Sequence, residues 1–164
     1  MTQSTDVFKT MSAEEAQAFF GEMRDELRPV YKQAERVAAA TLRLRPVFLG
    51  KQPFPKRCDM IRKALALRPN ADASAELLAT FFLERYSKDV AELLDLFGIE
   101  HEDGVLKDQA PKAPTKAKMK KAVQEFPTGD HALMRGILLK AFAAQSAIDW
   151  TDLDAMLFDV EVAK

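Results

Sequence analysis

The fold is decided first between Ser12 and Leu44, where the chain reads SAEEAQAFFGEMRDELRPVYKQAERVAAATLRL. Ser12 followed by Glu15 forms a capping box, in which each side chain accepts a hydrogen bond from the other residue's backbone N–H, so a helix is predicted to start there. Apolar or small side chains then recur in alternating steps of four and three, as on one helix face: Ala16, Phe20, Met23, Leu27, Val30, Ala34, Val37, Thr41 and Leu44. This stripe predicts amphipathic helix over residues 12–45.

Pro29 interrupts the stretch without breaking the register of the stripe. A proline in a helix interior removes one backbone hydrogen bond and costs about 3 kcal/mol. The sequence leaves two alternatives, one long helix kinked at Pro29 or two helices that meet there, and the unbroken stripe favours the first. A coiled-coil dimer has a stripe of the same period, but Phe19, Tyr31 and Ala38 widen it, which is typical of a helix in a bundle.

The rest of the chain repeats the amphipathic pattern between turns rich in Pro, Gly and Asp, and it shows no strand pattern. We therefore predict an all-α multi-helix bundle. Its predicted parts are a flexible leader at 1–11 and a single all-α domain at 12–164, which divides into a long helix or helix pair at 12–45, a helical unit at 55–104, a linker at 105–114 and a second helical unit at 115–160.

The two helical units resemble each other when the chain is shifted by 58 residues against itself. Ile61-Arg62-Lys63-Ala64-Leu65 then aligns with Met119-Lys120-Lys121-Ala122-Val123, and a Pro-x-x-Asp turn follows in both units. Each turn leads into an apolar helix and then an acidic segment. The pattern predicts an internal duplication, against the alternative that amphipathic helices resemble one another by chance. Superposition of residues 56–97 on 115–157 distinguishes the two.

Composition places the chain among globular proteins that fold without disulfides. Apolar residues make up 48% and charged residues 30% of the 164 residues, and Cys58 is the only cysteine. A lone cysteine fits a reducing compartment, so we expect a cytoplasmic protein. The polar first ten residues, and the lack of an apolar run of roughly 20 residues, predict neither secretion nor insertion into a membrane.

The net charge of −1 conceals a segregated distribution of charges. Residues 43–68 carry eight basic residues against one acidic residue, and residues 107–121 carry six against one. Residues 84–103 carry seven acidic residues against two basic ones, and the tail from residue 149 carries five against one. Segregated fields of this kind steer association with a protein partner or with a second copy of the chain.

Side chains that carry catalysis or bind metals are few and dispersed. His101 and His131 are the only histidines, and neither belongs to a His-x-x-His or Cys-rich zinc pattern. Cys58 follows Lys56 and Arg57, which would stabilise a thiolate, but no second Cys or His accompanies it. We therefore expect no catalytic residue, no metal site and no cofactor, and interpret the chain as a non-enzymatic protein.

The strongest functional pattern is the basic segment 43–68, whose cations surround a connector that carries Phe48 and Phe54. Cations contact phosphates and an aromatic ring stacks on a base, so one hypothesis is a nucleic-acid-binding accessory protein. Because the chain is not basic overall, we favour a protein-interaction or structural module, with a small-molecule-binding helical domain as a third alternative. The candidate residues for binding nucleic acid or an acidic partner are Arg43, Arg45, Lys51, Lys56, Arg57, Arg62, Lys63, Lys120 and Lys121.

Overall fold

A computed structural model describes residues 2–107, 111–145 and 148–159 of the chain. Helices make up most of the described residues, so the predicted all-α helical bundle is confirmed. The chain forms two compact units that divide after Phe81. We call Ser4–Phe81 the N-terminal unit, and the part that begins at Phe82 the C-terminal unit.

The N-terminal unit is a group of helices around an aromatic core. It contains α1 (Ser4–Lys9), α2 (Ala13–Glu26), α3 (Arg28–Leu42), α4 (Pro46–Gly50), α5 (Phe54–Leu65), a 3-10 turn (Arg68–Asn70) and the first part of α6 (Ala71–Arg85). Its core lies where α5 packs against α1, α2 and α3. The buried rings of Phe19 and Phe81 lie 4.4 Å apart between centroids, and Phe8 lies 6.0 Å from Phe19.

The helix predicted from residue 12 to 45 is two helices that meet at Leu27. Leu27 has φ −135° and ψ 58°, which is outside the helical region, and Pro29 lies in the first turn of α3. A proline in that position lacks only an N–H that has no partner inside the helix, so the break avoids the cost of an interior proline. The prediction of a single kinked helix is therefore wrong. The chain forms the other alternative, two helices that meet near Pro29.

Within the segment 1–11, which the sequence predicted to be a flexible leader, the structure describes a packed helix. The helix α1 buries Val7 and Phe8, whose exposed fractions are 1% and 0%. The backbone carbonyl of Phe8 accepts a hydrogen bond of 3.2 Å from Arg62 on α5. Two apolar residues are too few to predict a helix from periodicity, but they suffice to hold this one because they complete the aromatic core.

The C-terminal unit packs its helices around a second aromatic cluster. It contains α7 (Ser87–Leu96), β1 (His101–Glu102), β2 (Val105–Leu106), α8 (Lys116–Glu125), α9 (Ala132–Ala143) and α10 (Thr151–Asp154), which continues as a π-helical turn (Ala155–Asp159). Phe97 and Phe142 stack 5.3 Å apart, and Trp150 contacts both rings edge-on. Trp150 Nε1 also donates a hydrogen bond of 3.3 Å to the carbonyl of Pro111.

A short antiparallel hairpin follows α7, where the sequence predicted a turn but no strand. Glu102 pairs with Val105, and the turn residues Asp103 and Gly104 have φ angles of 52° and 90°. A two-residue hairpin turn of type I′ needs positive φ at both positions, and Asp-Gly is a preferred pair for it. Strands of two residues are too short to show an alternating pattern, so only the turn could be recognised.

The internal duplication stays a prediction. The helices α5 and α6 of residues 56–97 correspond in order to α8 and α9 of residues 115–157. The division after Phe81 lies inside the first predicted unit, 55–104, so that unit is not a compact body by itself. Some of the predicted parts lie outside the described residues. These are residues 108–110 of the linker, residues 146, 147 and 160 of the second helical unit, and residues 161–164 at the end of the domain.

Candidate interaction surface

The junction between α3 and α4 exposes several side chains of the basic segment. Arg43 ends α3 in the left-handed conformation, with φ 56°, and its N–H donates to the carbonyls of Ala39 and Ala40. Pro46 then begins α4, where its missing N–H costs no helical hydrogen bond. Leu49 is 0% exposed and anchors α4. A helix of five residues that buries a single side chain leaves its other side chains facing solvent.

Two large apolar side chains of α4 lie next to cations at the surface. Val47 is 68% exposed and Phe48 is 52% exposed. Arg43, Arg45 and Lys51 are also exposed, and within the described residues none of the three has a carboxylate at ion-pair distance. We call Arg43, Arg45, Val47, Phe48 and Lys51 the basic–apolar surface. Adjacent exposed apolar side chains of this size are typical of binding sites.

Two of the predicted binding residues, Arg57 and Arg62, act inside the N-terminal unit instead. Arg57 donates to Tyr31 Oη at 3.4 Å and to the carbonyl of Gln52 at 3.1 Å. Arg62 donates to the carbonyl of Phe8 at 3.2 Å. Because these guanidinium groups hold α5 to neighbouring segments, they are less available to a partner than the exposed cations at the junction between α3 and α4.

Apart from Lys56, three predicted lysines lie outside the basic–apolar surface. Lys63 belongs to the N-terminal unit, and Lys120 and Lys121 belong to the C-terminal unit. Lys63 lies 3.0 Å from Asp59, which also accepts a hydrogen bond from Arg62. These two cations lower the pKa of the Asp59 carboxyl. Lys120 and Lys121 are exposed on α8 of the C-terminal unit. The nine predicted residues therefore do not belong to one compact unit.

The two aromatic residues of the basic segment have different environments. Phe54 is partly buried, and its ring centroid lies 4.1 Å from the guanidinium carbon of Arg24 and 5.7 Å from that of Arg57. Gly21 faces the same ring, since a Cβ placed there would lie 3.7 Å from it. Phe54 therefore pins the start of α5 to α2. Phe48 is exposed and available for binding.

The Cys58 thiol is not an activated nucleophile. Cys58 is 1% exposed, and this burial raises the pKa of its thiol from 9.0 to about 11, although Arg57 and Arg24 act in the opposite direction. The thiol therefore stays protonated at neutral pH. Desolvation raises the pKa of the thiol more than the neighbouring cations lower it, so these cations do not activate Cys58.

Cys58 is expected to react with an aromatic disulfide reagent far more slowly in the native protein than in urea. Stability should also fall as the pH rises from about 9 to about 11, because the unfolded thiol loses its proton first and the unfolded state then binds fewer protons than the native one. Urea unfolding across this range measures the fall, which should be smaller in Cys58→Ala. Equal reaction rates with and without urea would contradict the burial.

A polar cluster links α7 and α9, and no pattern in the sequence indicates it. Asp89 is 6% exposed and accepts a hydrogen bond of 2.8 Å from Arg135 Nε, and its second oxygen lies 3.2 Å from His131 Nδ1. Arg135 also donates to Glu92 and to the carbonyl of Phe126. Arg135 follows Asp89 by 46 residues, so no local pattern could have revealed the pair. The cluster ties α9 to α7.

His101 is fixed within the hairpin rather than solvated. Its Nδ1 accepts the backbone N–H of Gly104 at 3.1 Å, so the neutral ring carries its proton on Nε2, which donates to Asp95 at 2.8 Å. An open cavity of about 460 Å³ lies beside it, lined by Asp95, Gly98, Ile99, Glu100, His101 and Lys107. Among the described residues, no three His, Cys, Asp or Glu side chains are grouped closely enough to hold a metal ion.

Comparisons with models of known protein families, with curated proteins and with solved structures find no match for this chain. Within residues 2–107, 111–145 and 148–159, no helix combines the length and apolar character needed to cross a bilayer. The candidate surface therefore rests on its own geometry and chemistry.

Proposed function

We propose that this chain is a non-enzymatic protein-interaction module whose basic–apolar surface docks a partner segment with acidic and apolar side chains. The observation that carries the proposal is the exposure of Val47 and Phe48 between cations that have no carboxylate partner in the described part of the chain. Fully burying one such side chain contributes about 1.5–3 kcal/mol. The cations add orientation and faster association with an acidic partner.

The surface is held in one conformation before a partner binds. Leu49 anchors α4, and the amide of Gln52 donates back to the carbonyl of Phe48 at 3.4 Å. Arg57 donates to the carbonyl of Gln52 and so fixes the segment after α4. A surface that is already ordered loses less conformational entropy on binding, which leaves more of the contact energy as affinity.

Nucleic acid is the second candidate partner, and the exposed ring of Phe48 favours it because a base can stack on such a ring. Affinity for nucleic acid depends mainly on the number of cations that contact phosphates. Arg57 and Arg62 are committed within the N-terminal unit, which reduces that number. Val47 also offers an apolar contact with no counterpart in a phosphate backbone. The balance favours a protein partner.

The proposal places the module in the cytoplasm. Cys58 is the only cysteine of the chain and its thiol is buried. No intramolecular disulfide contributes to the fold, and a chain that folds without disulfides suits a reducing compartment.

Fluorescence anisotropy with three labelled probes tests the proposal. The probes are a helical peptide with Glu and Leu at helical spacing, the same peptide with Lys for Glu, and a single-stranded oligonucleotide. We expect the Glu–Leu peptide to bind and the Lys–Leu peptide not to bind. Phe48→Ser should weaken binding of the Glu–Leu peptide by about tenfold, equivalent to about 1.4 kcal/mol. Leu96→Ser is the matched control, since Leu96 is 40% exposed on α7.

The same titration contains the results that overturn the proposal. Binding of the oligonucleotide without binding of the Glu–Leu peptide, with an affinity that falls steeply with salt, would assign the surface to nucleic acid. Binding of neither probe would overturn both candidates. Equal losses in Phe48→Ser and Leu96→Ser would show that the peptide does not use α4.

A further inference from the structure

A second exposed surface, on the C-terminal unit, carries the opposite charge. A Cβ placed on Gly104 would lie 3.6 Å from Leu83 Cδ2, so the hairpin turn packs beside the end of α6. Leu83 is 39% exposed and Val105 is 57% exposed. Exposed acidic residues accompany both of them: Glu84 follows Leu83 in the chain, and Glu102 is the partner of Val105 across the hairpin. We define the acidic–apolar surface as Leu83, Glu84, Glu102, Asp103 and Val105.

The hairpin fixes the acidic side chains of this surface. Glu102 pairs across the strands with Val105, so the two side chains lie on the same face of the hairpin. Asp103 follows in the turn and is exposed. Within the described residues, Glu84, Glu102 and Asp103 have no cation at ion-pair distance. Their charges are therefore available to an external partner.

The two surfaces match each other in composition and oppose each other in charge. Each has two exposed apolar side chains, Val47 and Phe48 on one and Leu83 and Val105 on the other. Each also has three like charges without an ion-pair partner among the described residues, positive on the first surface and negative on the second. Complementary fields favour docking of one surface on the other and oppose docking of either surface on itself.

We propose that the basic–apolar surface of one copy docks on the acidic–apolar surface of a second copy, head to tail. This inference rests on the proposed function and names its partner as the chain itself. The contact joins different surfaces of the two copies, so every added copy still presents one free surface of each kind. Association therefore continues into a ring or a chain of copies, unless two copies form the contact reciprocally and close as a dimer.

The contact is expected to be weak and sensitive to salt. Interfaces below about 1,200 Å² are typical of transient complexes, and two five-residue surfaces fall in that class. Exposed charges are screened within about 8 Å at physiological ionic strength, so added salt should shift the equilibrium toward the monomer. Rising concentration at low salt should shift it toward larger species.

Sedimentation velocity of the full chain over a concentration series, at low and moderate salt, tests the inference. Arg45→Glu and Glu102→Lys should each weaken self-association by about tenfold, equivalent to about 1.4 kcal/mol. An equimolar mixture of the two variants should restore association as one-to-one pairs, because each variant supplies the native surface that the other lacks. Lys9→Glu and Glu125→Lys make the same charge changes at exposed positions outside both surfaces and should have no effect.

The outcomes separate this inference from the proposed function. A native chain that stays monomeric at every concentration and salt level overturns the inference, while binding of the Glu–Leu peptide would still support the interaction module. Association that neither charge reversal weakens also overturns it, as does loss of association that mixing does not restore. Circular dichroism of each variant verifies that the helical fold is retained, so that a loss reports the surface.

Discussion

Replacing Asp89 by Ala is expected to lower the free energy of unfolding of the C-terminal unit by about 2–3 kcal/mol, because Arg135 loses a charge-assisted hydrogen bond in a mostly buried site. The Asp89 carboxylate is 8% exposed and accepts from Arg135, whose own side chain is 18% exposed. Arg135 would keep Glu92 and the carbonyl of Phe126 as partners, but its shortest buried contact would be lost. Urea unfolding followed by the fluorescence of Trp150, the only tryptophan, measures the loss.

A second carboxylate on α7 provides the matched control for Asp89. Asp95 also bonds a neighbouring side chain, His101, but its own side chain is 72% exposed. Exposed pairs contribute up to about 1 kcal/mol, so Asp95→Ala should cost far less. Adding Arg135→Met to Asp89→Ala should recover part of the loss, since the buried charge is then removed. Equal costs for the two Asp variants would show that water screens the Asp89 cluster.

Short-range signals in the sequence predicted local structure correctly. The capping box of Ser12 and Glu15 is present, with both hydrogen bonds formed. Other helix ends are decided by equally local features: Thr115 caps α8 by accepting from the N–H of Lys118, and Gly98 ends α7 with φ 70°. Each of these features depends on residues within a few positions of one another, so the sequence pattern contains all the physical information that decides it.

Features that depend on distant residues could not be predicted in the same way. The basic pattern of residues 43–68 counts Arg57 and Arg45 alike, although Arg57 bonds Tyr31, which precedes it by 26 residues. Composition likewise does not distinguish the exposed ring of Phe48 from the partly buried ring of Phe54. Charge clustering therefore located the candidate surface, while tertiary packing decided which of its cations remain at the surface.

The acidic side of the candidate contact was visible only in part. The sequence showed that residues 84–103 are acidic, but Asp89 and Glu92 are bound by Arg135 and do not contribute a free surface charge. The hairpin, which brings Glu102 and Val105 together, was not predicted at all. Segregated charge therefore indicates where candidate surfaces lie, and the structure is needed to select the residues whose charges remain exposed.

Replacing Phe19 by Ala is expected to cost the N-terminal unit about 3–5 kcal/mol, the usual range for removing a buried aromatic side chain. Phe19 is 0% exposed and contacts the rings of Phe8, Phe20 and Phe81, so its loss opens a cavity that several rigid rings cannot easily fill. Urea unfolding followed by circular dichroism, with hydrogen exchange of the α2 and α5 amides, measures the effect.

Phe48→Ala removes the same atoms from a ring that is 52% exposed and provides the control for Phe19→Ala. A surface substitution of this kind changes stability by about 0.5 kcal/mol or less. The two variants should therefore separate stability from binding: Phe19→Ala destabilises the unit, whereas Phe48→Ala leaves it folded and weakens binding of the Glu–Leu peptide. Equal destabilisation by both variants would mean that the Phe48 ring supports the core and is not free to meet a partner, which would remove the main support for the proposed surface.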